Sequence, residues 1–272
     1  MTSKQKIMNI ALRKKIVAMI AKVGAGHIPS AFSIVEILDY LYARVLKFDP
    51  QNPQWEGRDY FVLSKGHGCA ALYVLLEQYG FITQKELDIV GKMDGILGGH
   101  PDSTRVPGVE ACTGSLGHGI GTALGIALGL KIRKKNNKVI AVIGDGESNE
   151  GTVWECAMVG ANLKLGNLCC IVDNNGSSAP ILPMANLKDK WGSFGWEVHE
   201  IDGHNEKEID SVFQKIKFDA TAQPKVVIAN TAKGKGVSFM EVHGPWHYRA
   251  PNPEELKLIN DELDSQLLKK AG

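Results

Sequence analysis

Two apolar runs and three further strand-like segments, separated by longer stretches of mixed character, organise this chain. Lys138–Ile143 and Leu168–Val172 are almost wholly apolar, as strands buried on both faces of a parallel sheet must be. Phe61–Ser64, Trp196–Ile201 and Lys225–Asn230 predict three more strands. The segments between them carry helical spacing. Residues 4–23 place Ile7, Ile10, Ala11, Ile16 and Ile20 along one stripe, and Gly24-Ala25-Gly26 should end that helix. Further helices are expected over Ser33–Val45, over 112–131, from about Glu150, over Glu206–Ile216 and over Asn252–Lys270 at the surface. In 112–131 the small residues Gly121, Ala123, Gly125, Ala127 and Gly129 predict close packing. Strands alternating with helices predict an α/β fold with a mostly parallel central sheet and helices on both faces. There is no internal repeat and no low-complexity linker.

Chemistry concentrates where two of these strands end. The first runs into Gly144-Asp145-Gly146, the second into Asp173-Asn174-Asn175. Ligands of open α/β sheets sit outside the carboxyl ends of the strands, so both motifs should meet at one edge. Asp145 offers a charged oxygen there and Asn175 a neutral one. Mg2+ takes a few protein oxygens and completes its octahedron with phosphate and water. Gly144 and Gly146 allow a tight turn and should leave backbone N–H groups for a diphosphate. The helix opening near Glu150 should aim its positive end at the same place. The residues thus point to a metal–diphosphate site.

Composition narrows this little. The chain has 272 residues, a hydrophobic share of 44% and a formal net charge of +1. These values suit one large α/β domain and give no reason to invoke nucleic acid or an anionic membrane. The five cysteines lack metal-ligand spacing, and Cys169-Cys170 fall inside a strand. Buried, reduced thiols of a cytoplasmic protein are expected. No signal peptide is evident, and no apolar run is long enough to span a bilayer.

Three Gly-His pairs stand at element boundaries: Gly26-His27, Gly66-His67 and Gly99-His100. Histidine can bond phosphate or sugar hydroxyls and can carry protons near neutral pH. Asp202-Gly203-His204-Asn205 reads instead as a turn with a helix cap.

Gly-Asp-Gly followed about thirty residues on by Asn-Asn, with an apolar strand between, resembles the thiamine diphosphate motif. Glu147, Glu150-Gly151 and Trp154-Glu155 narrow the resemblance to the transketolase family, as do Ser64-Lys65-Gly66-His67, Gly99-His100-Pro101, Thr113–Gly117 and Trp246-His247. It runs over residues 5–253 and implies the thiamine diphosphate-binding fold, with a diphosphate-binding domain at 3–253 and a helical tail at 254–272. It further implies that Asp145, Asn175 and the carbonyl of Ser177 hold Mg2+ or Ca2+. Cofactor contacts are implied for His67, Gly114, Leu116, Gly144, Asp145, Gly146, Glu147, Glu150, Asn175, Lys233 and His247. The histidines His27, His67, His100 and His247 would position substrate and move protons. Lys65 would add positive charge near a sugar phosphate, and His118 would be structural. Glu150 and Glu155 would lie at a subunit contact. Three places depart from the family pattern: Ile28-Pro29-Ser30 after His27, residues 176–180, and Tyr248 in place of a glycine.

Transketolases carry two further domains, one of which binds the cofactor's pyrimidine. The resemblance therefore implies a separate partner chain and a heterotetramer that transfers a two-carbon ketol unit between sugar phosphates. Two alternatives stand beside it. One is another thiamine diphosphate enzyme, deoxyxylulose-phosphate-synthase-like, 2-oxo-acid-decarboxylating or of a specialised sugar pathway. The other is a non-catalytic regulatory subunit.

Overall fold

The computed structural model describes residues 3–241 and 244–268. Among these residues five strands form one sheet: β1 (Tyr60–Leu63), β2 (Val139–Gly144), β3 (Leu168–Asn174), β4 (Glu197–Asp202) and β5 (Lys225–Asn230). All neighbours pair in parallel, in the order β1-β2-β3-β5-β4. Among the described residues ten α-helices surround it: α1 (Ser3–Val23), α2 (Ile28–Phe32), α3 (Val35–Tyr40), α4 (Cys69–Gln78), α5 (Gln84–Asp88), α6 (His118–Ile132), α7 (Gly151–Asn162), α8 (Leu187–Ser193), α9 (Glu206–Lys215) and α10 (Pro253–Leu268).

Strand alternation divides the core into two. Ile140, Val142, Cys169 and Ile171 face the layer built by α1 to α4, α9 and α10. Val139, Ala141, Ile143, Leu168, Cys170 and Val172 face the layer of α6, α7 and α8. Cys169 and Cys170 thus point to opposite layers, and all five cysteines are unpaired. No helix among the described residues is long and apolar enough to cross a membrane.

Two expectations need correction. The helix expected over Ser33–Val45 begins at Val35 as α3, passes into a π-helical turn at Leu41–Val45, and is preceded by a separate short helix, α2, not expected from the sequence. The break falls at Ser33 and Ile34, where the Ser33 hydroxyl donates to Asp173 (2.7 Å). The expected surface helix at the end of the chain buries Ile259 and Leu263 completely, so one face of α10 belongs to the core. Lys270, its expected end, lies outside the described residues. The predicted stop of α1 is met: Gly24 has φ +88° and its N–H reaches the carbonyl of Ile20 at 3.0 Å.

Candidate active site

Because the sheet is parallel, Ser64-Lys65, Gly144-Asp145, Asp173-Asn175 and Asn230-Thr231 all emerge at one edge. Asp173 is the hub there. It is fully buried, forms an ion pair with the equally buried Lys65, and accepts from Ser33 (2.7 Å), Asn175 (2.8 Å) and Thr231. Burial alone would raise its carboxyl. Lys65 and these donors more than offset that and hold it below the usual carboxylate range. Contrary to the expectation from sequence, Lys65 is therefore not a charge offered to substrate. Its ammonium reaches Asp173, the Ser30 carbonyl (3.0 Å) and the Ser33 hydroxyl (3.3 Å) inside the fold.

Asp173 also orients Asn175. A carboxylate only accepts, so the amide nitrogen of Asn175 must face it, and the amide oxygen faces the other way. That oxygen accepts the N–H of Ser177 at 3.0 Å, while the Ser177 hydroxyl lies 3.3 Å from the carboxylate of Asp145. The three residues assigned to a metal from sequence are thus brought together. Asp145 is 4% exposed and is met by Gly146, Ser177 and Ser178, all neutral donors. Among the described residues no lysine, arginine or histidine forms an ion pair with it. A buried carboxylate with no ion-pair partner among the described residues, beside an amide oxygen, is an all-oxygen donor set that fits a hard divalent ion. It is not a group of three or more His, Cys, Asp or Glu, and no group of that kind placed to hold a metal ion occurs among the described residues.

The glycines of the first motif behave differently from expectation. The Gly144 N–H donates to Glu147 (3.0 Å) and the Gly146 N–H to Asp145 (2.8 Å), so neither is an open donor. Gly146 has φ −63°, a conformation any residue adopts. Glu147 is buried and spent on structure: it accepts from Ser64 (2.5 Å), Gly117 (2.9 Å) and Gly144. Burial raises its carboxyl. Glu150 and Glu155 are exposed at the start and along the outer face of α7.

Three of the four histidines converge. The His27 ring centroid lies 5.3 Å from that of His67, 5.1 Å from His247 and 4.7 Å from Tyr248. Pairing of His27 with Arg249, and the Arg249 N–H on the Gly26 carbonyl (3.1 Å), hold the two segments together. Nδ1 of His27 faces the His247 carbonyl at 2.9 Å and must carry the proton there, which leaves Nε2 as a free acceptor. Nδ1 of His247 accepts from the Lys233 ammonium at 3.1 Å, so its Nε2 carries the hydrogen. Burial, above all, lowers His27 to about 4 and His67 to about 2, and it lowers His247. These imidazoles are neutral at neutral pH. Lys233 is lowered as well, by burial and then by Lys65.

His100 stands outside this ring cluster. It is exposed, and its ring packs over Gly114, where an added Cβ would come within 3.0 Å of it. Gly114 has φ +137°, so glycine is required on both counts. Leu116 is half-buried in the same turn, and its carbonyl meets Nδ1 of His118 at 3.0 Å, the local structural role expected of that histidine. Two cavities flank the histidines. One of about 230 Å3 is lined by His27, His67, Cys69, Tyr73, Gly99 and Tyr248, with apolar residues of α1 behind them. The other, of about 180 Å3, is lined by Ser177, Ile181, Lys233 and His247.

A family model described as transketolase, thiamine diphosphate binding domain, matches residues 3–264. The chain belongs to the transketolase family. Like other transketolase chains it carries the thiamine diphosphate-binding domain, and the family's chemistry is thiamine diphosphate-dependent ketol transfer. It is 38% identical to an apulose-4-phosphate transketolase subunit of Phocaeicola vulgatus, over 94% of this chain and 92% of that one. It is 42% identical to the 6-deoxy-6-sulfo-D-fructose transketolase subunit SqwG of a Clostridium species, over 94% of each. The transketolase of Campylobacter jejuni superposes with a TM-score of 0.90 at 28% identity, over 97% of this chain and 43% of that one. Against such solved transketolases the chain spans less than half the length.

Proximity at one sheet edge was readable from sequence. The Asp173–Lys65 pair and the network Arg13–Glu36–His204 were not. Glu36 is buried, takes both guanidinium nitrogens of Arg13 (2.7 and 2.8 Å) and accepts from Nδ1 of His204 (3.0 Å). The signal available for Asp173 was a charged residue ending an otherwise apolar strand.

Proposed function

We propose that this chain is the diphosphate-binding subunit of a two-chain transketolase acting on ketose and aldose phosphates. The observation that carries this reading is the placement of the Asp145, Asn175 and Ser177 oxygens and the His27, His67 and His247 imidazoles around one strand edge. Asp145, Asn175 and the Ser177 carbonyl would hold Mg2+ or Ca2+. Lys233 and His247 would face the diphosphate, and Gly114 and Leu116 the cofactor's aromatic end. Thiamine diphosphate, when bound, supplies the carbanion chemistry. The protein's share is orientation and proton movement: Nε2 of His27 takes a hydrogen from a substrate hydroxyl and Nε2–H of His247 gives one.

The names of the two relatives, each called a subunit, support a partner chain that completes the site. So does the outer side of α7, where Met158 is 56% and Val159 38% exposed beside Glu155. A heterotetramer in the cytoplasm is the assembly proposed. The two relatives are named for unusual ketoses, and here Tyr248 lies against His27; both favour a specialised sugar as donor.

The test is turnover of xylulose 5-phosphate with ribose 5-phosphate, thiamine diphosphate and Mg2+, by this chain alone and with its candidate partner chain. Activity only in the mixture is expected. Activity of the chain alone would refute the need for a partner. Silence in the mixture, with apulose 4-phosphate or 6-deoxy-6-sulfofructose active instead, would assign the specialised donor.

A further inference from the structure

His204 follows β4 at the sheet edge and bridges two otherwise separate parts of the fold. Its Nδ1 lies 3.0 Å from Glu36 on α3, and its Nε2 accepts the backbone N–H of Ala232 at 2.9 Å. The second bond fixes the tautomer: Nε2 is the acceptor, so Nδ1 holds the hydrogen and gives it to Glu36. Glu36 is in turn fixed by the bidentate Arg13, whose guanidinium also reaches the Phe32 carbonyl at 2.9 Å. The side chains of Arg13, Glu36 and His204 are 5%, 6% and 11% exposed.

Ala232 immediately precedes Lys233, the lysine that meets His247 and lines the cavity beside Ser177. The stretch 231–234 has no regular structure to hold it. Thr231 is tied by its hydroxyl to Asp173 and by its N–H to the Asn174 carbonyl (3.2 Å), and Gly234 by its N–H to the Pro29 carbonyl (3.0 Å). Between those anchors the His204 bond sets the plane of the peptide joining Thr231 to Ala232, and the next peptide, into Lys233, has its carbonyl on the Lys235 N–H at 3.2 Å. Gly203 permits the close approach: a Cβ there would come within 2.5 Å of Thr231.

We propose that His204, backed by Glu36 and Arg13, is a positioning residue that aims Lys233 at the diphosphate of the cofactor. This rests on the cofactor assignment made above. The role is to place another residue, not to touch the reacting atoms.

The experiment uses the full chain and thiamine diphosphate with Mg2+ as the probe. His204→Asn keeps a donor for Glu36 but is too short to reach Ala232. His204→Gln extends an amide to where Nε2 lies. The Asn variant should stay folded, with a modestly lower urea midpoint and native amide exchange of Val226–Ala229, lose protection at the Ala232 amide, and bind the cofactor about tenfold more weakly, the scale of one lost hydrogen bond. The Gln variant should return affinity to within about threefold of the native protein on the same scale. Native Ala232 protection in the Asn variant, or unchanged affinity in it, would overturn the proposal. So would a Gln variant no better than Asn. A native protein without affinity for the cofactor would instead sink the cofactor assignment, and the Ala232 exchange would still show whether His204 holds that peptide.

Discussion

Lys65 and Asp173, 108 residues apart in the chain, form an ion pair from which solvent is wholly excluded. It joins the end of β1 to the end of β3 directly beneath Asn175. Removing one member leaves the other charged and buried, which costs about 3–5 kcal/mol. Lys65→Met should lower the unfolding free energy by about that amount, measured by urea denaturation at neutral pH. A loss below about 1 kcal/mol, the size typical of an exposed pair, would mean the pair is solvated.

Glu36 makes stability depend on acid. Burial would raise its carboxyl, but Arg13 and then His204 outweigh that and hold it at about 2 against an ordinary 4.5. The difference corresponds to about 3 kcal/mol. Because the folded value is the lower one, the stabilisation is present above about pH 4.5 and is lost as pH falls towards 2. Asp173, also held low, acts with the same sign. Urea midpoints of the native protein should fall steeply below pH 4.5, and Glu36→Gln should flatten that fall while lowering stability at neutral pH. Equal slopes for the two proteins would refute the assignment.

The histidine cluster predicts the opposite of a pH switch. With His27 held at about 4 and His67 at about 2, neither ring gains a proton between pH 8 and 5.5. For a histidine whose folded value is the lower one, stability is present above the ordinary value near 6.5 and declines as pH falls below it. The imidazole nitrogen signals of His27 and His67 should stay those of neutral rings across that range by NMR. A midpoint near 6.5 for either would show that it is solvated.

Asp145→Asn keeps the shape of the side chain and removes its charge. The set around it is all oxygen, and the lost charge leaves a divalent ion with neutral ligands only. Metal-dependent binding of thiamine diphosphate should weaken at least about a hundredfold by calorimetry, an effect of about 2.7 kcal/mol. Affinity unchanged from the native protein would remove Asp145 from the metal site.

How much of this was legible depended on whether the signal was local. All five strands were readable: β2, β3 and β5 because a parallel strand buried on both faces must be an apolar run, and the edge strand β4 from Val198 and Ile201 set among polar residues; both motif ends followed from the buried strands. The helix expected at Ser33–Val45 is there from Val35 on, as α3 and the π-helical turn, and only the turn at Ser33 and Ile34, where Ser33 gives its hydroxyl to Asp173, was not readable, because that partner is distant in sequence. Lys65 read as a charge for a sugar phosphate for the same reason: no local pattern separates a lysine offered to a ligand from one paired with a buried aspartate. His204 read as part of a turn, and the turn is there, with Asn205 capping α9 through the Lys207 N–H at 3.1 Å. What spacing could not show was that the same turn carries an imidazole back to Ala232.

Tyr248 is where this chain departs from the family glycine and where substrate choice can be tested. Its ring sits 4.7 Å from that of His27 and walls the cavity of about 230 Å3 shared with His67. Removing the ring opens that cavity without touching Asp145, Asn175 or Lys233. Tyr248→Gly should therefore leave cofactor affinity within about twofold while changing the ratio of kcat/KM between a short and a long aldose acceptor by about tenfold, the scale at which pocket shape discriminates. The assay pairs the variant with its partner chain and compares a triose, a tetrose and a pentose phosphate. Cofactor affinity falling together with every kcat/KM would show that Tyr248 supports the diphosphate loop through His247 and does not select the sugar.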